Sequence, residues 1–99
     1  MLSPALDEIA EAAQWYDSQR AGLGHEFWQC IDETLKQIEE YPFRFSKSEF
    51  ATSEADLRFA IVRRFKYVVH FLVESDECQI VSVAHAARKP GYWLRRSKK

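Results

Sequence analysis

The sequence predicts an α+β domain: an N-terminal antiparallel helix hairpin packed on an antiparallel sheet of about three strands, followed by a short C-terminal turn or helix tail. Three observations carry this reading. Apolar residues recur at helical spacing from Leu6 to Ile38, the apolar period changes to two at Leu57, and a Pro90-Gly91 break separates the last apolar run from a Tyr92-Trp93 pair.

Ser3-Pro4 has the composition of a helix start, with Ser as N-cap, Pro in the first turn and acids just after. Leu6, Ile9, Ala10, Ala13 and Tyr16 then form one stripe. Ala21-Gly22-Leu23-Gly24 breaks it. A second helix follows, with Leu23, Phe27, Cys30, Ile31, Thr34, Leu35 and Ile38 on one side and Glu26, Asp32, Glu33, Glu39 and Glu40 outside. Tyr41-Pro42 ends it, because the residue before a proline avoids helical angles. Two amphipathic helices with so short a break form an antiparallel hairpin.

Residues 43–56 show no period. From Leu57, the residues Leu57, Phe59 and Ile61 alternate with Arg58, Ala60 and Val62. Arg63-Arg64-Phe65 leads into a second run, Tyr67 to Val73. Glu74-Ser75-Asp76-Glu77 reads as a turn, and Cys78 to Ala86 as a third strand. The 99 residues make one domain, 1–99, without repeat or linker.

Composition narrows the function classes. Cys30 and Cys78 match no metal or redox spacing, and no His/Cys/acid set has ligand spacing, so neither metal nor cofactor is expected. The first twenty residues carry four acids and form no secretion signal, and no apolar run approaches the ~20 residues of a membrane span. A cytoplasmic protein is expected. The net charge of −1 hides a division: residues 1–56 hold four bases and twelve acids, residues 57–99 ten bases and three acids. This predicts a basic face for an acidic partner, with the acidic helices on the far side. The competing reading pairs Arg58 and Arg63 with the acidic helix faces.

Arg58, Arg63, Arg64 and Lys66 lie on or between the first two strands; Arg88, Lys89, Arg95, Arg96, Lys98 and Lys99 lie in the tail. Gathered by the sheet, they would hold phosphates or carboxylates. His85 ends a strand three residues before Arg88, and histidine moves protons near neutral pH. Tyr92 is a candidate for stacking or partner contact, Trp93 for docking the tail, and His70 for a half-buried packing role. The chain has no Gly-rich phosphate loop, Ser/His/Asp pattern or carboxylate pair. Any catalysis would rest on Arg, Lys, His and Tyr, a set able to cleave RNA without metal.

Trp15-Tyr16, Leu23-Gly24 with Phe27, Ile38 with Tyr41-Pro42, Leu57-Arg58, Arg64-Phe65 with Tyr67, and His85-x-x-Arg88-x-Pro90-x-x-Trp93-x-x-Arg96 together resemble the ParE/RelE superfamily of type II toxin–antitoxin toxins, on its ParE side. The resemblance covers nearly the whole chain and implies a toxin neutralised by a cognate antitoxin. ParE-like toxins are associated with poisoning DNA gyrase, RelE-like toxins with cleaving mRNA on the ribosome. Cast in RelE-like roles, the catalytic set would be Arg58, Arg63, His85, Arg88 and Tyr92. In ParE-like roles, Arg58, Arg63, Arg64, Arg88, Tyr92, Trp93, Arg95 and Arg96 are contact residues. An inactive or adaptor protein on the same scaffold is the third reading.

The chain departs from the family pattern twice. Lys66 stands where the family usually has proline between the Phe and Tyr, and only Met1-Leu2 precede Ser3-Pro4, where the family has a β-strand. Three readings of the missing strand follow: a misplaced start codon, a degenerate inactive toxin, or an open sheet edge or groove filled by the antitoxin or by a second copy in a homo-oligomer.

Overall fold

The computed structural model describes residues 1–75, 77–89 and 91–94. Helix α1 spans Ser3–Gln19 and α2 spans Leu23–Glu40; strands β1 (Asp56–Val62), β2 (Tyr67–Glu74) and β3 (Glu77–His85) follow. The three form an antiparallel sheet in the order β1-β2-β3. This is the predicted α+β arrangement. No helix among the described residues is long and apolar enough to cross a membrane.

One face of the sheet is roofed by the helices. Ala5, Ile9 and Ala13 of α1 and Phe27, Ile31 and Ile38 of α2 bury against Ala60, Val62, Val69, Phe71, Ile80 and Val83. Leu6 and Ala10, expected in the α1 stripe, are exposed, and Ala5 takes the core position instead. Leu2, not Ser3, is the N-cap of α1, and no side chain caps it; its backbone N–H instead donates to Ile80 O at 3.1 Å. The helix entry is thus fastened to the β3 edge, and a serine cap is not needed to orient it.

The two helices meet at Gly24. Its N–H donates to Asp17 Oδ1 at 2.6 Å, so an α1 carboxylate satisfies a free donor in the first turn of α2. A Cβ here would stand 2.3 Å from Ala13 O, so only glycine allows this approach.

The other sheet face has its own cluster. Leu57, Val81 and Trp93 are buried together, with Leu2, Phe50, Leu72 and Tyr92 against them. β1 alternates as expected, and both of its faces are covered. Ala60 and Val62 bury under the helices and Leu57 under the tail, while Ile61, beyond the reach of Trp93, is 63% exposed. A bulge supports this two-sided burial. His70 pairs with Ser82 but Phe71 with Ile80, so Val81 is the extra residue. Ile80 and Val83, three apart, can then both face the helices while Val81 joins Trp93.

The β1–β2 connection is a tight turn with Phe65 at φ 73° and Lys66 at φ 57°. Left-handed angles are unfavourable for such side chains, and the packing of Phe65 offsets them. Its ring lies 4.7 Å from Tyr16 and 5.3 Å from Phe27, with the Arg64 guanidinium 4.8 Å from the ring centre. Proline at 66 would need φ near −65°, so this turn is one that the family's usual proline could not adopt.

Both sheet edges are partly covered. Ser48 N–H donates to Leu57 O and Phe59 N–H to Ser46 O along β1. On β3, Leu2 occupies Ile80 O, and Glu8 of α1 accepts the Val83 N–H at 3.0 Å.

Candidate functional site

Glu8 organises the most polar assembly on the molecule. It sits in the apolar row of α1, between Ala5 and Ala12 at helical spacing, and its side chain is 12% exposed. One oxygen accepts the Val83 N–H; the other accepts the Tyr92 hydroxyl and an Arg88 Nη1 donor at 3.5 Å. The Arg88 guanidinium carbon lies 3.5 Å from the Tyr92 ring centre, a cation–π contact. One carboxylate therefore joins the first helix, the sheet edge and the tail. Sequence reasoning missed this residue. The available signal was an acid standing in an otherwise apolar helical row.

Beside this latch the tail lies across the second sheet face. Trp93, 2% exposed, stacks on His70 at 4.3 Å and 34°, and meets Phe50 edge-on at 5.6 Å. Burial pulls the His70 pKa down to about 4, so it is neutral at physiological pH. A cavity of about 100 Å³ remains between Val68, His70, Ser82, Arg88, Tyr92 and Trp93. Burial, and then the hydrogen bond to Glu8, push the Tyr92 phenol up to about 12. A phenol held this firmly as a donor is no base at neutral pH.

The other expected site residues are dispersed. Arg58 is 12% exposed; its Nε donates to Asp56 Oδ1 at 2.9 Å and its Nη1 to Phe45 O at 2.7 Å, which spends its fork on local structure. Arg64 pairs with Glu26, which also holds Arg20 at 3.3 Å; the Arg64 hydrogen bond leads the forces that lower the Glu26 pKa. Arg63 is exposed in the β1–β2 turn with no ion pair among the described residues. His85 is exposed; its Nδ1 accepts the Ala87 N–H at 3.1 Å, and its ring meets Tyr67 edge-on at 5.6 Å. The proton on its ring is thereby placed on Nε2. Arg95 and Arg96 lie outside the described residues.

Strand register shows how far apart these groups are. Arg58 pairs with Phe71, and His85 with Tyr67, four residues along the same strand. They share the helix-side face but are separated by ~13 Å along β2 and ~10 Å across two strand spacings. Arg88 and Tyr92 belong to the β3 edge at Glu8, on the far side of the sheet from Arg58. Among the described residues, the expected single basic face with the acidic helices behind it does not form; Arg95, Arg96, Lys98 and Lys99 lie outside them. Arg64 and Arg88 are paired with those same helices.

Among the described residues no group of three or more His, Cys, Asp or Glu could hold a metal. The arrangement offers apolar rings and arginine stems held in fixed positions by buried polar contacts. The sequence matches no protein-family model and no curated protein.

Proposed function

We propose that this chain is the toxin of a type II toxin–antitoxin module, ParE-like in action: it inhibits DNA gyrase by protein contact in the cytoplasm and is neutralised by a cognate antitoxin. The order of two helices, three antiparallel strands and a returning tail is what the ParE/RelE resemblance leads one to expect. The observation that carries the choice of contact over RNA cleavage is the separation of Arg58 from His85, Arg88 and Tyr92, with Arg58 already bound to Asp56 and Phe45. RNA cleavage by such residues needs a base, an acid and phosphate-binding cations around one phosphorus atom. Here the phenol is raised and tied to Glu8, and Arg58 is spent. Among the described residues, Arg63, Lys66 and Lys89 are cations without an ion pair near the β1–β2 turn and tail, and they are placed to receive an acidic antitoxin segment.

The test is direct. Purified protein is added to a gyrase supercoiling assay and, separately, to programmed ribosomes with end-labelled mRNA. Loss of supercoiling with intact mRNA supports the proposal. Codon-spaced cleavage of the mRNA with unaffected gyrase overturns it in favour of an endoribonuclease, and silence in both assays leaves an adaptor or inactive protein.

A further inference from the structure

A second surface lies at the opposite end of the sheet. A groove of about 680 Å³ runs between the C-terminal end of α2 and the β2–β3 hairpin. Leu35, Ile38 and Phe43 form one wall, Val73, Cys78 and Ile80 the other. Phe43 is 68% exposed, a large ring left in water at the groove mouth.

The rim is acidic. Glu39, Glu74 and Glu77 line the groove, are all exposed, and make no ion pair among the described residues. Strand register also sets Glu74 directly opposite Glu77. Like charges facing each other across a hairpin are destabilising, and no described cation relieves them. On the groove wall, burial raises the Cys78 thiol pKa, and the charges of Glu39 on the rim and of Asp56 on β1 raise it further. An apolar trough with an unrelieved negative rim is complementary to a ligand with apolar side chains and positive charge.

We propose that this groove docks a basic, apolar-anchored peptide segment of another protein, its bulky side chains entering between α2 and the hairpin and its Lys or Arg groups meeting Glu39, Glu74 and Glu77. The chain's own basic tail is the wrong occupant. Trp93 anchors that tail on the opposite sheet face. The proposal stands whether or not the chain is a toxin.

Three labelled peptides of equal length test it on the full chain: alternating Leu and Lys, alternating Leu and Glu, and alternating Ser and Lys. The Leu/Lys peptide binds about tenfold more tightly than either control, as expected for a few exposed charge pairs added to apolar contact. Its amide shifts fall on Leu35, Ile38, Val73 and Cys78. Glu77→Lys supplies the internal control for folding. It places an opposite charge across from Glu74, so Tm rises by a few degrees, while Leu/Lys binding falls about tenfold. Equal binding of the three peptides, shifts mapping elsewhere, or unchanged binding by E77K overturns the proposal. So do groove amides that shift on dilution, which would assign the groove to a second copy, or on deletion of residues 95–99, which would assign it to the tail.

Discussion

Replacing Gly24 by alanine tests the helix contact that positions both Glu8 and the core. The added Cβ would lie 2.3 Å from Ala13 O and 2.8 Å from Asp17 Cγ and Oδ1, where ordinary contact begins at 3.4 Å. The worst overlap is with a backbone atom of a buried helix turn, which cannot rotate away. α2 has to retreat by about 1 Å, an overpacking that costs ~1–3 kcal/mol. The retreat also stretches the 2.6 Å bond from Gly24 N–H to the Asp17 carboxylate. A charged hydrogen bond of this kind contributes ~1.5–3 kcal/mol, and the gain in helix propensity returns at most ~1 kcal/mol. The net loss is ~2–4 kcal/mol, which lowers Tm by roughly 10–25 °C in a domain of this size. Gly22→Ala is the control: its φ is 87° but nothing lies within 4 Å of the new Cβ, so only the left-handed backbone matters, at ~1–2 kcal/mol. Urea unfolding followed by circular dichroism separates the two. G24A within ~0.5 kcal/mol of the parent, or no worse than G22A, would refute the close-approach reasoning.

Other perturbations address the turn, the latch and pH. Lys66→Gly relieves a φ of 57° and stabilises the fold by about 0.5–1 kcal/mol, whereas Lys66→Pro cannot adopt that angle and loses the N–H bond to Arg63 O, so its urea midpoint falls. Glu8→Ala removes the acceptor of the Val83 N–H and the Glu8 bond of the Tyr92 hydroxyl, and costs ~1–3 kcal/mol; hydrogen exchange at the Val83 amide accelerates in step, and an unchanged rate there contradicts the latch. His70 has a folded pKa near 4, below its ordinary 6.5, so between those values the unfolded chain binds more protons and stability falls as pH falls. His70→Gln flattens that part of the pH–stability curve, and an undiminished slope in H70Q removes His70 as its source. Tyr67 and Tyr92 are both raised to about 12, so stability declines as pH rises from 10 toward 12, measured by alkaline unfolding of the parent against Y92F.

Much of the fold is legible in local patterning because helical and strand periods are set within a few residues. The expected runs from Leu57, from Tyr67 to Val73 and from Cys78 to Ala86 become Asp56–Val62, Tyr67–Glu74 and Glu77–His85. The burial of Trp93 and the half-buried packing of His70 also follow the expectation. The site is far less legible, because its chemistry depends on which distant charges meet. Arg64 finds Glu26 across 38 positions, and Arg88 finds Glu8 across 80. Neither partner carries a local mark, apart from the misplaced acid in the α1 apolar row. The run Cys78 to Ala86 is read as a strand without the Val81 bulge, yet the bulge decides which residues of β3 face the tail.

The charge division along the sequence becomes, in space, a division along the strands. Folding brings acids of the two helices onto the basic end of the sheet, where Arg64–Glu26, Arg20–Glu26 and Arg88–Glu8 pair. Each end of the strands also keeps charges without an ion pair among the described residues. Arg63 and Lys66 lie in the β1–β2 turn and Lys89 follows the end of β3, while Glu39, Glu74 and Glu77 gather at the β2–β3 hairpin. Strands of seven to nine residues hold these poles ~25 Å apart, beyond the ~8 Å over which salt screens charge in the cell. Two poles that cannot neutralise each other make two separate contact surfaces of opposite preference. One suits the acidic antitoxin proposed for this chain, the other a basic segment. Binding at either pole should therefore leave the other available, which a ternary complex detected in solution would establish and strict competition between acidic and basic peptides would exclude.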